Sequence, residues 1–169
     1  MTEVKDHINI TEQTAKLWKI LEEVYDPEIP VLSIVDLGIV RDVKLSINDK
    51  EELAGAITIT PTYSGCPAMD VISMHIKMAL LENGYRGIQI KQQLSPAWTT
   101  DWMSQKGKEK LSSYGITPPT GTINEDPIVP CPLCHSTNTT LISQFGSTAC
   151  KALYKCLDCR EPFDYFKCH

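Results

Sequence analysis

Residues 53–84 read LAGAITITPTYSGCPAMDVISMHIKMALLENG, and within them the hydrophobic period changes from that of a strand to that of a helix. LAGAITIT alternates with a period of two, whereas PAMDVISMHIKMALLENG carries apolar residues at helical spacing, with Pro67 in its first turn and Gly84 just past its end. The polar stripe of this helix is narrow, confined to Asp70, Ser73 and Lys77. Val71, Ile72, Met74, Ile76, Met78, Ala79 and Leu80 cover the remaining circumference, so the helix is expected to pack on a sheet and against something else as well.

Working outward, VRDVKLSI at 40–47 has the same strand alternation and is separated from 53–60 by the polar turn Asn48-Asp49-Lys50-Glu51, which predicts an antiparallel hairpin. Upstream, TEQTAKLWKILEEVY places Leu17, Trp18, Leu21, Val24 and Tyr25 on one face of an opening helix that Thr11 is expected to cap. Between helix and hairpin lies DPEIPVLSIVDLGI, too broken by two prolines and a glycine to be an element and too apolar to be a solvated linker. It predicts an ordered loop. Downstream, GIQIKQQL supplies a third strand and DWMSQKGKEKLSSYG a more polar last helix. The order αββαβα over residues 1–114 predicts a compact α+β domain.

Residues 115–130, GITPPTGTINEDPIVP, contain four prolines and two glycines without periodicity and read as a proline-rich linker. Residues 131–169 read as a zinc ribbon. Cys131-Pro132-Leu133-Cys134 and Cys156-Leu157-Asp158-Cys159 are two knuckles 21 residues apart, the arrangement a tetrahedral four-thiolate site requires. TTLISQF and ALYK between them can pair as short strands. A unit of about forty residues buries too little apolar surface to fold alone, so the metal is expected to supply much of its folding energy. The same four sulfurs would accept a rubredoxin-like iron. A thioredoxin-like redox pair is excluded by context, because neither knuckle lies between a strand and a helix of a βαβ unit.

Composition narrows the partners. The chain carries 42% apolar and 22% charged residues and no apolar run long enough to span a membrane. MTEVKDHINITEQ lacks the apolar core of a signal peptide, so a cytoplasmic location is expected. The net charge of -5 is concentrated before residue 127, and the tail is nearly neutral, which leaves little to neutralise a nucleic-acid backbone. Protein partners are expected instead.

Three cysteines fall outside the knuckles. Cys66 precedes Pro67 at the start of the long helix, where unpaired N–H groups and the helix dipole favour a thiolate, with Asp70 opposing the effect. A lowered pKa is expected if the sulfur is accessible, although Ser64-Gly65-Cys66-Pro67 could equally be a simple turn into the helix. Cys150 and Cys168 read either as small packing residues in a thin core or as ligands of a second metal or cluster. His135 and His169 are further ligand candidates whose positions also suit plain exposure.

DPEIPVLSIVDLGIV and TITPTYSGCPAMD resemble the family of small iron–sulfur assembly domains that includes the bacterial SufT proteins, over about residues 11–95, with Cys66 at that family's reactive cysteine. PCPLCHS, GSTACKALYKC and the ending EPFDYFKCH extend the likeness over the whole chain to the PaaD family of accessory subunits encoded with the bacterial phenylacetyl-CoA epoxidase. The resemblance implies an accessory protein of aerobic phenylacetate catabolism, without turnover of its own, that matures or inserts the iron–sulfur cluster of the epoxidase reductase. Its implied partners are the reductase and oxygenase subunits. A cluster normally wants about four thiolates. Two copies of the chain could share one, Cys66 could work with Cys150 and Cys168, or Cys66 could take a cluster transiently. Asp26, Glu28 and Asp36 either orient that exchange or serve as turn-forming and capping acids. A structural adaptor that docks epoxidase components through its ribbon, with Cys66 inert, is the alternative. An oxygenase component is not supported, since no Glu-x-x-His pair and no glycine-rich nucleotide loop is present.

Overall fold

The computed structural model describes residues 8–120 and 127–167. Cys168, His169 and residues 121–126 of the proline-rich segment lie outside the described residues.

The body follows the expected order. Helix α1, Ile10–Glu22, buries Leu17 and Leu21, and its N-cap is Asn9, whose side chain accepts from the Glu12 N–H. Asn9 therefore takes the place expected of Thr11, which lies inside the first turn; a short carbonyl side chain in extended backbone suits the role. Strands β1 (Val40–Ile47) and β2 (Leu53–Ile59) form the antiparallel hairpin. The Asn48 side chain accepts from the N–H groups of Lys50 and Glu52 in its turn. Helix α2, Ala68–Glu82, crosses over to β3 (Ile88–Gln92), which pairs in parallel with β2, giving sheet order β1-β2-β3. Ile57 and Ile59 from the sheet meet Ile72, Ile76 and Leu80 from α2 and Leu17 and Leu21 from α1 in the main core. The apolar excess of α2 is only partly covered: Met74, Met78 and Leu81 remain about half exposed.

The apolar loop at 26–39 is ordered, with Ile29, Leu32, Ile34, Leu37 and Ile39 buried and Asp26 N–H and Ile34 N–H tied to Leu32 and Val24 carbonyls. Gly38 turns it into β1 at φ 69°, and a Cβ there would lie 2.2 Å from the Trp102 carbonyl oxygen. The last body helix departs from the expected single element. Thr100–Trp102 is a 3-10 turn, and α3 runs from Gln105 to Ser113, started by Ser104, whose hydroxyl accepts from the Gly107 N–H. A good N-cap, Ser104, inside the stretch read as one helix wins over continuation of the helix.

The ribbon is larger than two strands. Strands β4 (Ile116–Thr117), β5 (Thr139–Ser143), β6 (Lys151–Cys156) and β7 (Pro162–Phe166) form a second sheet ordered β4-β7-β6-β5. The start of the stretch read as a linker is thus a strand, paired in parallel with β7, and the Thr117 hydroxyl donates to the Pro130 carbonyl at 2.7 Å. Two residues are too few to show periodicity, which is why composition alone reads them as linker. Val129, Ala152, Tyr154, Phe163 and Tyr165 fill a separate small core beside Cys131 and Cys156.

Phe166 and Cys150 instead join the main core. Phe166 stands edge-on to Trp98, ring centroids 6.1 Å apart, and Trp98 donates from Nε1 to the Leu37 carbonyl at 2.9 Å. The ribbon is therefore packed on the body through an apolar seam. Among the described residues no helix is long and apolar enough to cross a membrane.

Candidate metal centre and cysteine cleft

The two knuckles bring Cys131, Cys134, Cys156 and Cys159 together with all four sulfurs within 4.8 Å of one another. Cys131 and Cys159 sulfurs are 3.7 Å apart and those of Cys134 and Cys156 3.5 Å. Four sulfurs about 2.3 Å from one tetrahedral ion lie about 3.8 Å from each other, so the donor set fits a single zinc. Backbone donors support it. The Cys159 N–H, then the Asp158 N–H, hold the Cys156 thiol down to about 7 against burial. At Cys159 the Glu161 N–H acts in the same sense, but burial and the three neighbouring sulfurs push the thiol up to about 12. Four crowded thiols resist joint ionisation, and a divalent cation removes that conflict.

Asp158 ties the knuckles together, accepting from the Ser136 hydroxyl and, at 2.7 Å, from Asn138 Nδ2. Each knuckle closes through a non-glycine residue in left-handed backbone, His135 at φ 61° and Arg160 at φ 68°. That conformation costs an L-residue about 1–2 kcal/mol. Arg160→Gly is expected to stabilise the ribbon by up to about 1 kcal/mol, roughly fivefold in zinc competition, and Arg160→Val to weaken it by a similar amount. Zinc titration against a chromophoric chelator reads both.

A second cysteine site lies at the seam. Cys66, half-buried, lines a cleft with Asp26, Glu28, Met69 and, from the ribbon, Cys150 and Phe166. The cleft is tight, about 10 Å³. The Asp26 carboxylate accepts from the Glu28 and Ile29 N–H groups at 2.7 and 2.8 Å. Burial nonetheless raises its pKa, with those two bonds and the charge of Lys151 opposing. Glu28 is raised too, by burial and by Asp26.

The Cys66 thiol is pushed up, not down. Burial is the largest cause; the Ala68 N–H at the start of α2 and the Tyr63 hydroxyl lower it, and the charges of Glu28 and Asp26 raise it further. The helix end acts as the sequence suggests, but the opposing acids come from the 26–39 loop. Cys150, 4% exposed, is also raised by burial, while the Thr148 hydroxyl, 3.0 Å from its sulfur, lowers it.

Asp36 does not line this cleft. It accepts from Ser104 Oγ at 3.0 Å and Lys110 Nζ at 2.5 Å, and the N–H of Asp36 itself donates to Ser33 Oγ. Its place is a hub that fastens α3 to the loop. Sequence reasoning missed Tyr63 and Lys151. Tyr63, three residues before Cys66, was open to discovery as a side chain on the same turn. Lys151, buried with its Nζ 3.6 Å from Asp164 Oδ2, comes from the other domain and left no signal.

Comparison with known proteins matches these two units. Residues 116–167 match the PaaD zinc beta ribbon domain and residues 14–84 the iron-sulfur cluster assembly protein family. Over 159 residues the chain is 52% identical to a subunit of the "Putative 1,2-phenylacetyl-CoA epoxidase" of Escherichia coli (strain K12), covering 92% of this chain and 93% of that protein. The chain belongs to the PaaD family.

Its body has shorter relatives as well. The Fe-S protein maturation auxiliary factor YitW of Bacillus subtilis (strain 168) is 38% identical over 92 residues, which is 54% of this PaaD-family chain and 85% of YitW. An Fe-S protein maturation auxiliary factor of Porphyromonas gingivalis is 33% identical over 96 residues, 55% of this chain and 85% of that one. A crystal structure of a domain of unknown function, DUF59, from Bacillus anthracis superposes with TM-score 0.54 at 33% identity, covering 60% of this chain and 92% of that one.

Proposed function

We propose that this PaaD-family protein is an accessory factor of a phenylacetyl-CoA epoxidase system that hands an iron–sulfur cluster to the reductase component, with Cys66 as the labile ligand. The observation that carries the reading is the position of Cys66 at the start of α2, half-buried beside Asp26 and Glu28, within the unit that matches the iron–sulfur assembly family. The cluster is cargo here, and the chain has no turnover of its own.

The chemistry of the residues suits brief holding. In the free protein the raised thiol of Cys66 keeps its proton, and that proton must leave when iron binds. Asp26 and Glu28, on the same cleft, offer carboxylates that accept it. On release the thiol is re-formed, so the protonated state competes with cargo and favours hand-over. The Ala68 N–H and the Tyr63 hydroxyl favour the thiolate that iron needs.

Maturing the reductase with wild-type or Cys66→Ser chain tests the reading. The variant is expected to lower the cluster content of the reductase to that obtained without the chain, with zinc content and melting of the variant unchanged. Wild-type cluster content would overturn the maturation role. It would favour a docking adaptor instead, a reading supported by exposed Leu133, Ile142, Phe145 and Leu157 on the ribbon.

A further inference from the structure

We infer that Cys150 is the second thiol of the cargo site, so that the cluster is held across the seam by one cysteine from each domain. The inference rests on the proposed cluster-carrying role of Cys66 and adds the ribbon as an active half of that site.

Cys150 does not belong to the zinc centre: the four knuckle sulfurs form a group without it, and its side chain packs in the body core rather than the ribbon core. The position is fixed from both sides. Cys150 directly precedes β6, and its carbonyl accepts from the Lys167 N–H at 3.0 Å, just beyond β7. Its sulfur is thereby delivered to the same cleft as Cys66, Asp26 and Glu28. The cleft walls are largely apolar, with Ile29, Leu37, Ile39 and Ile72 among them, but two carboxylates also line the cleft, and the Thr148 hydroxyl lies 3.0 Å from the Cys150 sulfur. At that distance the hydroxyl is placed to donate to the sulfur once a metal has taken the thiol's proton.

The seam also explains why the cargo would be labile. About 10 Å³ of space is too little for a cluster, so loading must displace lining side chains, the seam residue Phe166 among them. Domain packing and cargo then compete for the same volume, and closure of the seam favours release. Two thiolates leave the other iron positions to the client's cysteines. In the transfer each iron bond to Cys66 or Cys150 breaks as a bond to a client sulfur forms. The client thiol's proton passes to the departing thiolate, and no electrons change hands.

Anaerobic loading of the zinc-bound full chain with a mixture of ferric and ferrous iron and sulfide, followed by desalting and assay of iron and acid-labile sulfide, tests the pair. Cys150→Ser and Cys150→Ala are each expected to retain at least tenfold less cluster than wild type, as is Cys66→Ser. Wild-type retention by the Cys150 variants, with loss in Cys66→Ser, would overturn the inference and leave the Cys66 reading standing. Retention in all three would overturn both. A second measurement uses wild type alone: phenylarsine oxide condenses with two neighbouring thiols, forming two arsenic–sulfur bonds and releasing water. Peptide mapping is expected to find Cys66 and Cys150 bridged by one arsenic, and an arsenical bound elsewhere, or none, would overturn the pairing.

Discussion

Stripping the ribbon of its metal with a strong chelator under reducing conditions is expected to unfold residues 129–167 and to weaken the body with them. The ribbon core consists of Val129, Ala152, Tyr154, Phe163 and Tyr165 around two of the ligands, Cys131 and Cys156. That is too little apolar surface to offset the entropy of ordering the segment. Structural zinc contributes about 10–16 kcal/mol in small domains of this kind, more than any other single interaction in the chain. Without it the four sulfurs, within 4.8 Å of one another, lose the cation that reconciles them.

The effect should not stop at the ribbon. Phe166 is 1% exposed and packs on Trp98 in the main core, so a melted β7 withdraws a buried aromatic from the body. Removing a buried phenylalanine costs about 3–5 kcal/mol. Urea unfolding followed by tryptophan fluorescence is therefore expected to shift to lower denaturant on chelation and to recover when one equivalent of zinc per chain is restored. A body transition indifferent to metal would mean that the seam contributes nothing to stability, and native ribbon spectra after complete metal removal would refute the structural role of the site.

Much of this architecture could be read from the chain because each body element is long enough to show its period. The hairpin at 40–60 and helix α2 carry ten or more patterned residues between clear turn signals, and the knuckle spacing identifies the ribbon ligands without any knowledge of the sheet. The failures share a cause: short elements and long-range contacts leave no local trace. Strand β4 has two residues. The helix end alone predicts a lowered Cys66 pKa, yet burial and the acids of a distant loop decide it. Nothing around Cys150 in the sequence indicates that it shares a cleft with Cys66, since the juxtaposition depends on how two domains dock. Asp26, Glu28 and Asp36 look equivalent as the three acids of one loop. Only the fold separates the first two, on the cleft, from the third, under α3.

That separation makes Asp36 the acid of the loop whose loss the fold should feel most. The residue is 6% exposed, and its carboxylate binds the Ser104 hydroxyl and the Lys110 ammonium, while Ser104 in turn caps α3 through the Gly107 N–H. Gly107 is needed for the approach, because a Cβ there would lie 2.9 Å from the Asp36 carbonyl oxygen. Asp36→Ala removes the shared acceptor at once, leaving Lys110 without its carboxylate partner and α3 with an unanchored cap. The expected loss is about 3 kcal/mol, at the low end for breaking a buried ion pair because Lys110 keeps 31% of its side chain in water. The pH dependence identifies the cause. Burial raises the Asp36 pKa, but Lys110, Ser104 and the Ser33 N–H together hold it below the ordinary carboxylate value. A depressed folded value gives stability that is present above the unfolded pKa of about 3.9 and lost as pH falls through the folded one. Wild type should therefore lose this contribution in urea titrations carried from about pH 5 towards about pH 2, while Asp36→Ala, already without it, should show a shallower decline. Parallel declines would assign the defect to lost packing and refute the ion pair as its origin. Cluster retention at Cys66 should survive the substitution wherever the variant is folded, since Asp36 does not line the cleft that holds the two cysteines.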